Sequence, residues 1–125
     1  MRLGWESPEL LALCQSPYGL ARRWPQHGEN AQLLLTMVSN AETLLDVRLL
    51  RCLKLRIEEP ASLGGVFGVS VWYMEVRLKG TLVNRQGAPL LVRPVSNASH
   101  WMGQVDSLGI STISVPERRA RKVTG

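Results

Sequence analysis

A chain of 125 residues and 13.9 kDa, 45% apolar and 20% charged, has the size and composition of one ordinary folded domain. Such a composition excludes a disordered chain, a collagen-like fibre and a coiled coil. The net charge of +5 is unevenly spread: residues 1–116 carry +2, and residues 117–125, with Arg118, Arg119, Arg121 and Lys122 against Glu117, carry +3.

In chain order, residues 1–5 read as a short strand. Ser7-Pro8-Glu9 reads as a helix start: a serine cap, a proline at the first helical position and an acid at the positive end of the dipole. Leu10, Leu11, Leu13 and Cys14 give that helix an apolar side, and Ser16-Pro17-Tyr18-Gly19 interrupts it. Residues 20–24 make a further helical turn, stopped by Pro25. A second helix starts near Glu29, with Leu33, Leu34, Met37, Val38 and Ala41 at helical spacing. Ser39-Asn40-Ala41-Glu42 matches a capping box, so that helix ends near residue 39 and a short third piece follows.

After Arg51 the period shortens to two. Leu53, Leu55 and Ile57 alternate with Lys54, Arg56 and Glu58, the pattern of a strand with one buried and one charged face. Residues 60–65 form a loop. Phe67, Val69 and Val71 then alternate on odd positions, and Met74, Val76 and Leu78 on even ones. The phase change demands a turn or a bulge around Trp72-Tyr73, so two readings stand: a hairpin of strands near 66–72 and 74–79, or one bulged strand. Asn84-Arg85-Gln86-Gly87 is a turn signal, Leu90-Leu91-Val92 an edge-like strand, and residues 110–115 a closing strand. The expected class is α+β: a small antiparallel sheet packed against two N-terminal helices, in one domain over 1–116, with a basic tail over 117–125.

Twelve of the 15 cations are arginine, the residue that binds planar anions through two parallel hydrogen bonds. The excess favours an anionic partner, nucleic acid or acidic protein. Cys14 and Cys52 form no metal-ligand spacing, no Gly-rich phosphate loop is present, and no cofactor is implied. The longest apolar run, Leu10 to Cys14, is far short of the roughly 20 residues that span a bilayer. The expectation is a cytoplasmic protein without a secretory signal or membrane contact.

The layout and several segments resemble the RelE/ParE superfamily of bacterial toxins, particularly its HigB-like plasmid maintenance killer branch. The resemblance runs over about residues 1–115. It rests on the opening Met1-Arg2-Leu3 through Ser7-Pro8-Glu9-Leu10, on Leu13-Cys14, Arg23-Trp24-Pro25, Leu33 to Met37 and Ala41 to Val47. It continues through Gly65-Val66-Phe67-Gly68-Val69-Ser70-Val71, which looks like the family's central strand, and ends on 110–115. The resemblance implies the toxin of a type II toxin-antitoxin system, a ribosome-dependent endoribonuclease that cuts messenger RNA and is silenced by a cognate antitoxin. The ParE branch implies an alternative, a non-enzymatic toxin that binds a protein such as DNA gyrase; an inactive binding module of this fold is the third. The Lys-Gly that such chains often carry after the second strand is absent from Leu53 to Glu59.

Cleavage of RNA needs a base for the 2′-hydroxyl, cations for the phosphate and an acid for the leaving oxygen. Lys54 and Arg56 share one strand face, and Arg77 and Lys79 another; together they are the candidate catalytic and phosphate-binding set, or else the solvated face of a sheet with Glu58 and Glu75 as partners. Tyr73 is a candidate for stacking on an RNA base, with Trp72 and Trp101 as further aromatics. His27 and His100 are loop residues with acid–base capacity. Arg118, Arg119, Arg121 and Lys122 either grip RNA phosphates or only solubilise the end of the chain. An apolar groove between residues 7–24 and 29–45 suits an antitoxin helix.

Overall fold

The computed structural model describes residues 1–58, 66–89 and 102–115. The elements, in order, are β1 (Arg2–Trp5), α1 (Pro8–Gln15), α2 (Pro17–Arg23), α3 (Gly28–Asn40), α4 (Leu44–Leu49), β2 (Lys54–Glu58), β3 (Gly68–Tyr73), β4 (Val76–Val83) and β5 (Ser107–Ser114). The class is α+β, with a five-stranded sheet in the order β1-β5-β4-β3-β2. The sheet is mixed rather than wholly antiparallel. Strands β2 to β5 alternate in direction, and β1 adds to the far edge parallel to β5, with Leu3 opposite Leu108. Four helices rather than two stand between β1 and β2. Among the described residues no helix is long and apolar enough to cross a membrane.

Ser-Pro pairs start α1 and α2. Ser7 Oγ accepts from the Leu10 amide at 3.1 Å, and Ser16 Oγ accepts from the Tyr18 amide at 3.2 Å. The break at Ser16-Pro17 is therefore also a beginning, because proline suits a first helical turn as well as it disrupts an interior. The buried stripe of α3 is Ala31, Leu34, Leu35 and Val38, with Leu33 exposed. The capping box lies later than Ser39: Asp46 Oδ2 accepts from the amides of Glu42 and Thr43, both at 3.2 Å, and opens α4.

The hairpin reading of 66–79 is the one observed. Tyr73 pairs with Val76 across a two-residue loop, Met74-Glu75, and Met74 carries φ 56°. Two-residue hairpin loops need this left-handed backbone, which glycine or asparagine normally supplies. On one face of the sheet, Leu55, Val71, Leu78 and Ile113 form a row across four strands, and Ile57, Val69, Gly80 and Ile110 form the next. They meet Leu20, Leu34, Val38, Leu44 and Val47 of the helices in a single core.

A bulge keeps β5 in phase with that core. Lys79 pairs with Thr112 and Gly80 with Ile110, so Ser111 is the extra residue, its hydroxyl donating to the Lys79 carbonyl at 3.0 Å. Without it Ile110 and Ile113, three apart, would point to opposite faces. A Cβ on Gly80 would lie 2.5 Å from the Gly109 carbonyl oxygen, so the bulge admits no side chain there. The Asn84–Gly87 turn follows, with Gly87 at φ 86° and the Asn84 side chain accepting from the amides of Gln86 and Ala88. Arg85 donates to Asp106 at 2.8 Å and holds that carboxyl below its ordinary range. The expected strand at Leu90-Leu91-Val92 and the tail over 117–125 lie outside the described residues.

Two opposite effects follow for stability. Gly80→Ala forces a backbone shift and lowers it by about 1–3 kcal/mol. Met74→Gly removes a left-handed side-chain penalty and raises it by about 0.5–1 kcal/mol. Urea midpoints of the two variants against the unmodified chain check both signs.

Candidate functional site: the outer face of the sheet

Strict alternation sends every second residue of β2, β3 and β4 away from the helices. The register lines these up as Lys54, Trp72, Arg77 and Ser114 in one row and Arg56, Ser70, Lys79 and Thr112 in the next. The four candidate cations thus share one face. They are not side by side: β3 separates β2 from β4, which puts the two cation pairs about 10 Å apart.

Arg77 differs from the other three. Its Nη2 donates to Ser70 Oγ at 3.0 Å and lies 3.6 Å from Glu58 Oε2, and its guanidinium carbon sits 5.2 Å from the centre of the Trp72 ring. Ser70 is fully buried beneath this arrangement and sits 3.4 Å from Glu58 Oε2. Gly68, opposite Glu58 in the register, leaves room for that carboxylate: a Cβ there would lie 3.1 Å from Oε1. The ion pair is about one-third exposed at each end and contributes no more than about 1 kcal/mol. It does cancel the charge of Arg77. Lys54, Arg56 and Lys79 are exposed, and among the described residues no carboxylate pairs with them.

Tyr73 does not join the cations. It follows Trp72 by one residue, so it faces the helices and packs partly buried against the core. Trp72 holds the aromatic position on the cationic face. A bend around residues 72–73 puts Tyr73 at its tip; with the loop at 74–75, alternation puts Trp72 on the cationic face instead. His27 lies beside the hairpin tip, 3.5 Å from Glu75, away from the cation rows. His100, Trp101, Arg118, Arg119, Arg121 and Lys122 lie outside the described residues.

Two of the concavities among the described residues border β2 and β1. One runs along the β2 edge and is lined by Cys52, Lys54, Leu55, Arg56, Trp72 and Met74. The other lies between β1, α1 and α3, where Leu3, Trp5, Cys14 and Leu35 line it together with Gln32, Thr36, Ser39 and Asn40; only Cys14 of it comes from residues 7–24, so it differs from the groove expected between 7–24 and 29–45. Among the described residues no group of three His, Cys, Asp or Glu side chains is placed to hold a metal ion. Searches with protein-family models, curated proteins and solved structures give no match to this chain.

The two cysteines differ in environment. Cys14 is half-buried and burial pushes its thiol up to about 11, whereas Cys52 is exposed on the recess. Iodoacetamide at pH 8 is expected to label Cys52 and spare Cys14 in the native chain, and to label both in urea, read by peptide mass. Equal labelling of both in the folded chain would contradict the packing of α1.

Proposed function

We propose that this chain is a RelE/ParE-type toxin, a cytoplasmic endoribonuclease that cuts messenger RNA on the ribosome and is held inactive by a cognate antitoxin. The observation that carries the reading is the outer sheet face, where Lys54, Arg56 and Lys79 stand exposed beside Trp72 with no carboxylate partner among the described residues. Exposed cations spaced over two strands suit a phosphate chain, and an aromatic among them suits unpaired bases. The order of elements supports the same reading: a strand, a helical layer, then antiparallel strands with the last returning beside the first. The concavity between β1, α1 and α3, with Leu3, Trp5, Cys14 and Leu35 among its lining, is a place where an amphipathic antitoxin segment could seat its apolar side.

In this reading Lys54, Arg56 and Lys79 hold the phosphate and stabilise the negative charge that grows on it during attack by the 2′-hydroxyl. Arg77 is held by Glu58, Ser70 and Trp72 and organises the face from within. A protein-binding toxin of the gyrase-directed kind has one observation in its favour: the described part of the cationic face carries no histidine.

Controlled expression in a bacterial host, with growth and transcript ends followed together, tests the proposal. Growth arrest with new breaks inside translated codons is expected. The triple variant Lys54→Ala, Arg56→Ala, Lys79→Ala should relieve the arrest and reduce the salt dependence of RNA binding, by about 0.7 in the log–log slope for each lost phosphate contact. Arrest with intact transcripts transfers the assignment to a protein target.

A further inference from the structure

The recess along the β2 edge and the bracing of Trp72 point to a more specific use. We infer that the recess is a nucleobase subsite, in which the Trp72 indole stacks on one base of a single strand and Lys54 and Arg56 take the phosphates on either side, while Arg77 acts as a positioning residue behind the indole. The inference rests on the reading of the outer face as an RNA surface.

Three observations carry it. The first is composition. The recess joins an indole, Met74 and two exposed cations without a carboxylate partner among the described residues, with core-facing Leu55 bordering it only at the strand edge. A base needs a flat apolar surface and its flanking phosphates need fixed charge, and this lining offers both. The second is rigidity. The guanidinium 5.2 Å from the ring centre donates to Ser70 and lies beside Glu58, so it braces the indole from one side. Arg77 is not among the residues lining the recess, whereas Lys54 and Arg56 are. The third is access. Strand β2 is the edge of the sheet, and no described strand covers Lys54 or Arg56 from outside.

The assignment separates Arg77 from the phosphate-binding cations. Glu58 lies 3.6 Å away and offsets its charge, one of its terminal nitrogens donates to Ser70, and its buried Nε has no hydrogen-bond partner among the described residues. A phosphate ligand would need those donors turned outward.

The test uses the full chain and two probes: fluorescent hexa-adenylate, and inorganic polyphosphate of similar length, which has charge but no bases. Trp72→Ala should weaken hexa-adenylate binding about 5- to 150-fold and leave polyphosphate binding unchanged, and Trp72→Phe should restore most of the loss. Arg77→Ala should show the same split between probes, the reverse of what removal of a phosphate ligand gives. Lys54→Ala with Arg56→Ala should weaken both. Bound hexa-adenylate should also slow alkylation of Cys52. Circular dichroism of each variant guards against misfolding, and Trp72→Phe supplies a conservative second variant. If Trp72→Ala and Trp72→Phe both bind hexa-adenylate like the unmodified chain while the Lys54, Arg56 pair fails, the subsite is overturned and the cationic RNA face survives. If the unmodified chain binds neither probe, both readings fall. Equal loss of both probes in Arg77→Ala overturns its positioning role.

Discussion

The placement of every side chain on the central strands depends on the register set by the Met74-Glu75 loop. With Tyr73 opposite Val76, the valines of β3 and Leu78 of β4 share the core face, and Ser70, Trp72, Arg77 and Lys79 share the other. A slip of one residue would bury two cations and expose the valines, at a cost the protein could not bear. The loop achieves this with methionine in a left-handed backbone, a local conformation that the surrounding pairing must enforce. Local preference is thus subordinate to the hydrophobic pattern on either side of it.

The same register creates the electrostatic character of the outer face. Lys54 and Arg56 come from β2, Arg77 and Lys79 from β4, and the strand between them contributes Ser70 and Trp72. That middle strand decides which cations remain available. Ser70 and Trp72 draw Arg77 inward, and Glu58 reaches it across the space left by Gly68. The three remaining cations have no such anchor among the described residues. One ladder therefore separates an arginine paired with Glu58 and Ser70 from three exposed cations, although all four are equivalent in the sequence.

Much of the fold was legible because the apolar period changes sharply at residue 52. The Ser7-Pro8 start, the strand at 54–58, the hairpin and the closing strand follow from local chemistry, whereas Ser16-Pro17 reads as a break and is also the start of α2. The misreadings have physical causes. Three successive leucines, Leu33-Leu34-Leu35, cannot specify the phase of a helix by themselves, and only packing against α2 and the sheet chose Leu34 and Leu35 over Leu33. Ser39 offered a capping box as good as that of Thr43 and Asp46, and the continuing turn of α3 to Asn40 removed it. Tyr73 was favoured over Trp72 because the hairpin tip was placed too early by two residues.

By itself the sequence determined the α+β class, the amphipathic strands, the absence of a metal-ligand pattern and a surplus of arginine, because periodicity and composition are local properties. The tertiary structure decided the rest. Only pairing could place β1 parallel to β5, since strand order is set by how the helical layer covers one face. Only the ladder could show that Lys54 and Arg56 lie two strands from Arg77 and Lys79, and that Arg77 is neutralised by Glu58. Relations between residues distant in the chain depend on which strands become neighbours, and the alternation of apolar residues sets each strand's face without setting its neighbour.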